Sequence, residues 1–291
     1  MFGILAATGA SFAWTLACFI WRSNTNFFKP LDINFIKNLL AFLFFIPFVI
    51  SFTYEIQNKF IFILFLSGII GIGFGDTFYL TSLKLIGTRK TLSIEALSPL
   101  LAAFAGDFFI NESLQLRAWI GIAIVTLSLT FIIREQNHLI NENSIFIKKK
   151  LSVKDYMYAF LSVFCAVLAG LLSRYIFLEI EISPLITTEI RLLGAIIFLL
   201  IISKFKFNFF IMNLKMNQKI IFIISVLLGT NLGILLQQIV FKTLPFGIGW
   251  TLLSTSPVIS LLFAKKEEGH ITKEIILSTF LLFGGLTLTI L

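Results

Sequence analysis

The sequence predicts an all-α membrane protein with ten transmembrane helices in two inverted five-helix repeats. First, the chain of 291 residues is 58% hydrophobic and only 13% charged, whereas a soluble domain is about 25% charged. Second, continuous apolar runs, each close to the ~20 residues that cross a bilayer as a helix, fill almost the whole length. Third, polar interruptions recur at matching places in the two halves, which is typical of folds built from two related repeats.

The apolar runs give ten predicted spans, and a lysine-rich polar segment separates the fifth from the sixth. We therefore predict a first repeat over residues 1–134, a basic linker over 135–154 and a second repeat over 155–291. An odd number of spans in each repeat inverts the second repeat relative to the first. The predicted spans are residues 2–21, 33–53, 60–83, 91–110, 116–133, 155–178, 184–203, 219–241, 246–264 and 271–291.

The polar interruptions themselves are duplicated. Ser98-Pro99 matches Ser256-Pro257 at an offset of 158 (256 − 98). Lys84 matches Lys242 at the same offset (242 − 84). Repeated apolar helices with such interruptions are typical of transporters whose binding site lies near the membrane midplane, between the repeats.

The net charge of +8 comes from cations in the predicted loops, so the expected partner is the lipid bilayer and not a nucleic acid. The loops after odd-numbered spans hold most of the lysines and arginines. By the positive-inside rule these loops are cytoplasmic and both termini lie outside, in a bacterial plasma (inner) membrane. The two histidines, His138 and His270, fall in predicted loops, and no His, Cys or Asp cluster has ligand spacing. We therefore expect no metal, no cofactor and no catalytic residue.

Several residues, taken in their order and spacing, resemble the EamA family of the drug/metabolite transporter superfamily, over nearly the whole chain. They are Trp14, Arg22, Lys37, Ser98-Pro99, Glu112, Gly121 and Arg191. The chain departs from the family pattern at Asn111, where a glycine is usual, and in the eleven positions from Pro257 to Glu268, against thirteen from Pro99 to Glu112. The resemblance implies a ten-helix secondary transporter of small organic solutes, often an exporter. An acid in a turn at a helix start, such as Glu112, is expected to cap free backbone amides.

Ionisable residues inside the predicted spans are candidate site residues, because a charge at bilayer depth costs roughly 3 kcal/mol unless it faces a cavity or a partner. Asp76 follows the alternating glycines of residues 71–75. It either binds a cationic group or a proton, or pairs with a lysine for structure. Glu95 lies four residues before Pro99, which removes the hydrogen bond to the Glu95 carbonyl and bends the helix. It is either a proton or substrate site, or it reaches back to the basic loop.

Lys37 and Arg191 fall at matching places at an offset of 154 (191 − 37). Such matching favours structural intramembrane cations over substrate ligands. Glu189 lies two residues from Arg191, so their side chains point apart on a helix. It is a third candidate for proton coupling, beside Asp76 and Glu95. The predicted substrate-binding residues are Trp14, Asp76, Tyr79, Glu95, Asn231 and Gln237.

Three classes of function remain open. The first is a secondary transporter that moves a small metabolite such as an amino acid by alternating access, with a proton on Asp76 or Glu95. The second is a membrane-embedded enzyme that acts on lipids, which would need a nucleophile or a metal cluster. The third is a channel or a non-transporting membrane protein, and no filter or charge ring is evident. The sequence favours the first class, with substrates that are not multiply phosphorylated, because the spans hold no large cationic cluster.

Overall fold

A computed structural model describes residues 1–25, 27–49, 56–143, 153–261 and 272–291. Every regular element in these ranges is a helix. The α-helices are α1 (Phe2–Thr25), α2 (Pro30–Val49), α3 (Asn58–Ser67), α4 (Asp76–Leu85), α5 (Thr88–Glu95), α6 (Ser98–Ile110), α7 (Leu116–Asn143), α8 (Val153–Glu179), α9 (Pro184–Ile202), α10 (Met216–Ser225), α11 (Gly233–Thr243), α12 (Phe246–Leu253), α13 (Ser256–Leu261) and α14 (Lys273–Ile290). Two π-helical stretches, Gly68–Gly75 and Val226–Leu232, join α3 to α4 and α10 to α11, and a short 3₁₀ helix spans Phe210–Asn213.

Within the described ranges, eight helices are long and apolar enough to cross a membrane. Two of them are composite, because the π-helical stretches continue α3 into α4 and α10 into α11 without interruption. The prediction of an all-α, multi-pass integral membrane protein is thus confirmed. The eight helices are Phe2–Trp21, Pro30–Phe48, Asn58–Leu85, Leu116–Ile133, Val153–Glu179, Pro184–Ile202, Met216–Thr243 and Lys273–Ile290.

The predicted fourth and ninth spans are not single helices. Each consists of two shorter helices, α5 with α6 and α12 with α13. Helix α5 ends at Glu95, four residues before Pro99, and α12 ends at Leu253, four residues before Pro257. Proline lacks the N–H that would bond the carbonyl four residues earlier, and its ring clashes with that carbonyl. The two prolines therefore account for the positions of both breaks.

The boundary of the predicted linker differs from the structure. Helix α7 continues to Asn143, nine residues (143 − 134) into the segment predicted as linker. Polarity there marks the end of the apolar run but not the end of the helix, because Glu and Gln are good helix formers. The next described helix, α8, begins at Val153. Residues 144–152, which include three of the predicted linker lysines, lie outside the described residues.

Glycines allow the closest contacts between helices. A Cβ on Gly68 would meet the backbone carbonyl of Arg191, and a Cβ on Gly194 would meet the backbone of Phe65. Helix α9 therefore packs directly against the composite helix α3–α4, backbone to backbone. Small residues that permit such an approach are characteristic of helix packing in membranes.

Adding a methyl group at this contact is expected to destabilise the protein. Gly68→Ala and Gly194→Ala should each lower the melting temperature of the detergent-solubilised protein, because the new Cβ meets backbone atoms that cannot rotate away. Overpacking of this kind costs about 1–3 kcal/mol. Gly284→Ala is the matched control in α14, where nothing lies within 4 Å of an added Cβ. Equal melting temperatures for the three variants would contradict the close contact.

Candidate functional site

A cavity of about 170 Å³ lies about halfway along α1, between the two broken helices. Its wall is formed by α1, the Gly68–Gly75 stretch with α4, the α5–α6 break, α8, α9, α11 and the α12–α13 break. Five of the six predicted substrate-binding residues line it. They are Trp14, Asp76, Tyr79, Glu95 and Gln237.

The sixth, Asn231, does not line this cavity. Its side chain is buried, and its Nδ2 donates a hydrogen bond to the carbonyl of Ala41 in α2 at 2.9 Å. The residue ties the Val226–Leu232 stretch to α2, so we leave it out of the site. Glu189 is also buried and is absent from the lining of the cavity. Arg191, predicted to be structural, does line it.

The two breaks meet at the cavity. Ser98 Oγ lies 3.2 Å from Ser254 Oγ, which links the α5–α6 break to the α12–α13 break. Ser11 Oγ in α1 donates to the carbonyl of Leu253 at 2.8 Å, the carbonyl that Pro257 leaves without its helical partner. Irregular backbone at membrane depth is tolerated where protein groups or a polar cavity satisfy it. Here the Ser11 hydroxyl satisfies the Leu253 carbonyl, and residues of both breaks line the cavity.

Asp76 forms a buried ion pair. Lys37 Nζ in α2 lies 2.6 Å from Asp76 Oδ2, and the side chains are 1% and 17% exposed, respectively. The same ammonium group donates to Asn38 Oδ1 at 3.1 Å and lies 5.3 Å from the ring centroid of Trp21. Asp76 thus pairs with a lysine and also faces the cavity, so the two interpretations drawn from the sequence do not exclude each other.

A polar row on α2 supports this pair. Asn34 Nδ2 donates to the carbonyl of Ile72 at 2.8 Å and to Thr77 Oγ1 at 2.9 Å. Asn38 Nδ2 in turn donates to Asn34 Oδ1 at 2.9 Å. The row thereby satisfies a backbone carbonyl of the π-helical stretch. The sequence analysis missed it, although polar residues at 34, 37 and 38 share one face of a helix.

Aromatic rings form the wall beside Asp76. The Trp14 ring packs edge-on against Trp21, with 5.3 Å between centroids, and lies 5.9 Å from the ring of Tyr79. The Tyr79 hydroxyl lies 3.3 Å from Cys18 Sγ. Trp250 lines the cavity from α12. The site therefore combines charged groups with apolar surface, as is usual for small-molecule sites.

Glu189 and Arg191 lie on α9 with different surroundings. Arg191 is 3% exposed, and its Nε and Nη1 have no hydrogen-bond partner among the described residues. Both carboxyl oxygens of Glu189 are likewise buried and without a partner in the described part of the chain. The two-residue spacing separates their side chains around the helix, and only Arg191 belongs to the cavity wall.

A second ionic cluster lies at one end of the bundle, away from the cavity. Glu112 Oε1 accepts a hydrogen bond from Arg174 Nε at 2.6 Å and lies 2.6 Å from Arg174 Nη2 in the ion pair. Glu112 Oε2 accepts a hydrogen bond from the Phe246 backbone N–H at 2.6 Å. Arg174 Nη1 donates to the carbonyls of Phe241 and Lys242. Glu112 thus joins the α6–α7 turn to α8 and to the α11–α12 turn.

The sequence does not predict this cluster, because nothing local connects residues 62 positions apart (174 − 112). Its pattern places Glu112 at the start of α7, whereas the carboxylate accepts a hydrogen bond from the start of α12, at Phe246. Glu268, the counterpart of Glu112 in the second half, lies outside the described residues.

The buried pair between α2 and α4 gives a prediction for stability. Lys37→Met and Asp76→Asn should each destabilise the protein by about 3–5 kcal/mol, because each leaves a buried charge without its partner. Asp76→Asn should have the larger effect, since Lys37 then loses its ion-pair partner and Arg191, on the cavity wall, loses a neighbouring carboxylate as well. The double variant should recover much of the loss.

Thermal melting in detergent measures these effects. Asp107→Asn, at an exposed position of α6, is the control, with an expected change within about 0.5 kcal/mol. A double variant no more stable than Asp76→Asn alone would contradict the coupling between the two side chains.

Comparison with known proteins shows two likenesses. A solved crystal structure matches the fold with a TM-score of 0.75 and 14% sequence identity, covering 98% of this chain and 95% of the other. At this identity the likeness concerns the fold alone. No curated protein matches the chain. Residues 1–134 match the model of the EamA-like transporter family, which is part of the drug/metabolite transporter superfamily. Over these residues the match confirms the resemblance drawn from Trp14, Lys37 and Ser98-Pro99.

Proposed function

We propose that this protein is a secondary active transporter of small organic metabolites, working by alternating access around the central cavity. The observation that carries the proposal is the position of the cavity, whose wall includes both helix breaks. Discontinuous helices that meet at a midplane site are characteristic of secondary transporters. The match of residues 1–134 to a transporter family supports the same function.

The proposal includes ten membrane crossings in two inverted repeats, with α5–α6 as the fourth crossing and α12–α13 as the ninth. Besides the two breaks, the two π-helical stretches support the repeat. They begin at Gly68 and Val226, an offset of 158 (226 − 68), the same as between Pro99 and Pro257. π-Helical turns are rare and are frequent at functional sites. Two of them at one offset are explained most simply by duplication.

In this mechanism the Glu112–Arg174 cluster closes one end of the pathway. It joins three elements at that end, and a Cβ on Gly3 would meet the side chains of Thr243 and Leu244 there. Opening this end requires α8 to separate from the α11–α12 turn, and therefore requires these hydrogen bonds to break. The positive-inside rule puts this end outside, together with both termini, in a bacterial inner membrane.

The proposed substrates are amino acids and related small metabolites, and the proposed direction is export. A proton on Asp76 or Glu95 provides coupling, with Glu189 as a third candidate. Protonation removes a charge that is costly in a low-dielectric site, and it thereby changes the relative free energies of the two access states.

The test is counterflow in proteoliposomes. Proteoliposomes that contain the purified protein are loaded with an unlabelled amino-acid mixture. They should accumulate a labelled member of that mixture transiently, at a rate that saturates with its concentration. Saturable counterflow requires a carrier and excludes a channel. Absence of counterflow for every solute that binds the protein would overturn the proposed function.

The same proteoliposomes test proton coupling. An imposed pH gradient should drive accumulation by the wild type, and Glu95→Gln or Asp76→Asn should abolish the response, because the variant side chains cannot exchange a proton. Transport that is unaffected by both substitutions would remove the proton role. Asp107→Asn is the control for the loss of an acid from an exposed position.

The cluster at the closed end gives a further prediction. In a Cys18→Ser/Cys165→Ser background, Ala10→Cys places a single thiol on the cavity wall. Adding Glu112→Gln should increase its labelling severalfold by a membrane-impermeant thiol reagent applied from the Glu112 side, because weaker bonds to Arg174 let that end open more often. Glu181→Gln is the control, since its bond to Lys242 lies at a side chain that is 91% exposed. Exposed pairs contribute little. Equal labelling of both variants would contradict the gate.

A further inference from the structure

We infer that Arg191 binds a carboxylate group of the transported solute, so that the substrates are monocarboxylic compounds. The inference rests on the proposed function, because it assumes that the central cavity is the substrate site. It changes the role of Arg191 from a structural cation, as the repeat-matched sequence position suggested, to a substrate ligand.

The first argument is that two of the three guanidinium nitrogens of Arg191, Nε and Nη1, are buried without a hydrogen-bond partner in the part of the chain that the structure describes. The side chain is 3% exposed and lines the cavity. An arginine that only packs the repeats would be expected to donate to nearby carbonyls or acids, because a buried, uncompensated charge is strongly unfavourable. The missing acceptor is accounted for if the solute supplies it.

The second argument is the charge balance of the cavity. Asp76, the acid on the neighbouring helix, is engaged by Lys37 at 2.6 Å. Lys37 is 1% exposed and does not line the cavity, so it cannot exchange Asp76 for a solute group directly. Glu95 is the second acid of the wall, and in the proposed mechanism it can carry a proton. With Glu95 protonated, Lys37, Arg191 and Asp76 together leave one positive charge, and Arg191 is the cation that lines the wall. One solute carboxylate would neutralise it, whereas a doubly charged phosphate group would leave a negative charge.

The third argument is space at the guanidinium. A Cβ on Gly71, another wall residue, would lie 3.3 Å from Arg191 Nη2 and 2.6 Å from the Ala169 Cβ. Gly71 therefore keeps this part of the wall free for the guanidinium group. The planar guanidinium matches a carboxylate in geometry, with two parallel N–H donors. The rings of Trp14 and Trp250 on the same wall provide surface for the rest of the solute.

The experiment compares carboxylates with matched amides. The probes are L-phenylalanine with L-phenylalaninamide, L-leucine with L-leucinamide, and benzoate with benzamide, titrated into detergent-solubilised protein with ligand-induced stabilisation as the readout. For the wild type, at least one carboxylate should bind about tenfold or more tightly than its amide. Arg191→Gln should remove this preference, and Arg191→Lys should retain part of it.

The melting temperature without ligand provides a second readout. Arg191→Gln should melt at or above the wild-type temperature, because the substitution removes a buried charge whose Nε and Nη1 have no hydrogen-bond partner among the described residues. A structural arginine would give the opposite result. Lys242→Gln, which changes a lysine at the end of α11 away from the cavity, is the control and should leave the carboxylate preference unchanged.

The inference is overturned if no carboxylate binds, if the amides bind equally well, or if Arg191→Gln keeps the preference. It is also overturned if Arg191→Gln melts well below the wild type without ligand. Failure of the proposed function looks different. Arg191-dependent binding without counterflow would contradict transport but leave the carboxylate site intact, whereas saturable counterflow of a solute without a carboxylate, unaffected by Arg191→Gln, would contradict only the inference.

Discussion

The structure depends on one constraint, which is that backbone groups freed inside an apolar bundle must find partners within the protein. Pro99 and Pro257 each end a helix four residues earlier, at Glu95 and Leu253. At the second break, the Ser11 hydroxyl donates a hydrogen bond to the Leu253 carbonyl, which has lost its helical partner. Residues of both breaks line the cavity. The polar cavity and the broken helices are therefore two consequences of the same pair of prolines.

The π-helical stretch obeys the same constraint with different partners. Its carbonyl at Ile72 accepts a hydrogen bond from Asn34, and Asn38 fixes the orientation of Asn34. Asn38 also accepts a hydrogen bond from Lys37, which holds Asp76. One row of polar side chains on α2 thus satisfies the irregular backbone and positions the charge beside the cavity. A substitution in this row would therefore affect both the hydrogen bond to the Ile72 carbonyl and the position of Asp76.

The sequence predicted those features that local chemistry determines. Helix breaks follow from proline, so the place where Glu95 reaches the cavity could be expected from Pro99 alone. Asp76 was recognisable because an acid in an apolar run needs a cavity or a partner, and it has both. Asn231 was assigned to the site by the same reasoning, but polarity alone does not give the direction of a single side chain in a largely apolar helix. In the structure, the Asn231 side chain donates a hydrogen bond to the Ala41 carbonyl instead.

Other features depend on contacts between distant parts of the chain. Glu112 and Arg174 belong to different halves, and neither has a local signal that names the other. Arg191 shows a subtler limit. Its match to Lys37 in the alignment suggested equal roles, yet Lys37 pairs with Asp76 whereas Arg191 lines the cavity. Residues at matching sequence positions can thus have different neighbours, because each contacts the side chains that the rest of the bundle brings to it.

That asymmetry determines how the site can work. If Lys37 and Arg191 each had an acid partner, the cavity wall would offer a solute no unpaired cation. Asp76 pairs with Lys37, so Arg191 is the cation on the cavity wall that can contact a solute. In the proposed site, the charge of Arg191 favours solutes with a negatively charged group. Both cations are buried, and they differ in what they contact. Lys37 pairs with Asp76 and does not itself line the cavity wall, whereas Arg191 lines the wall, where a solute can reach it.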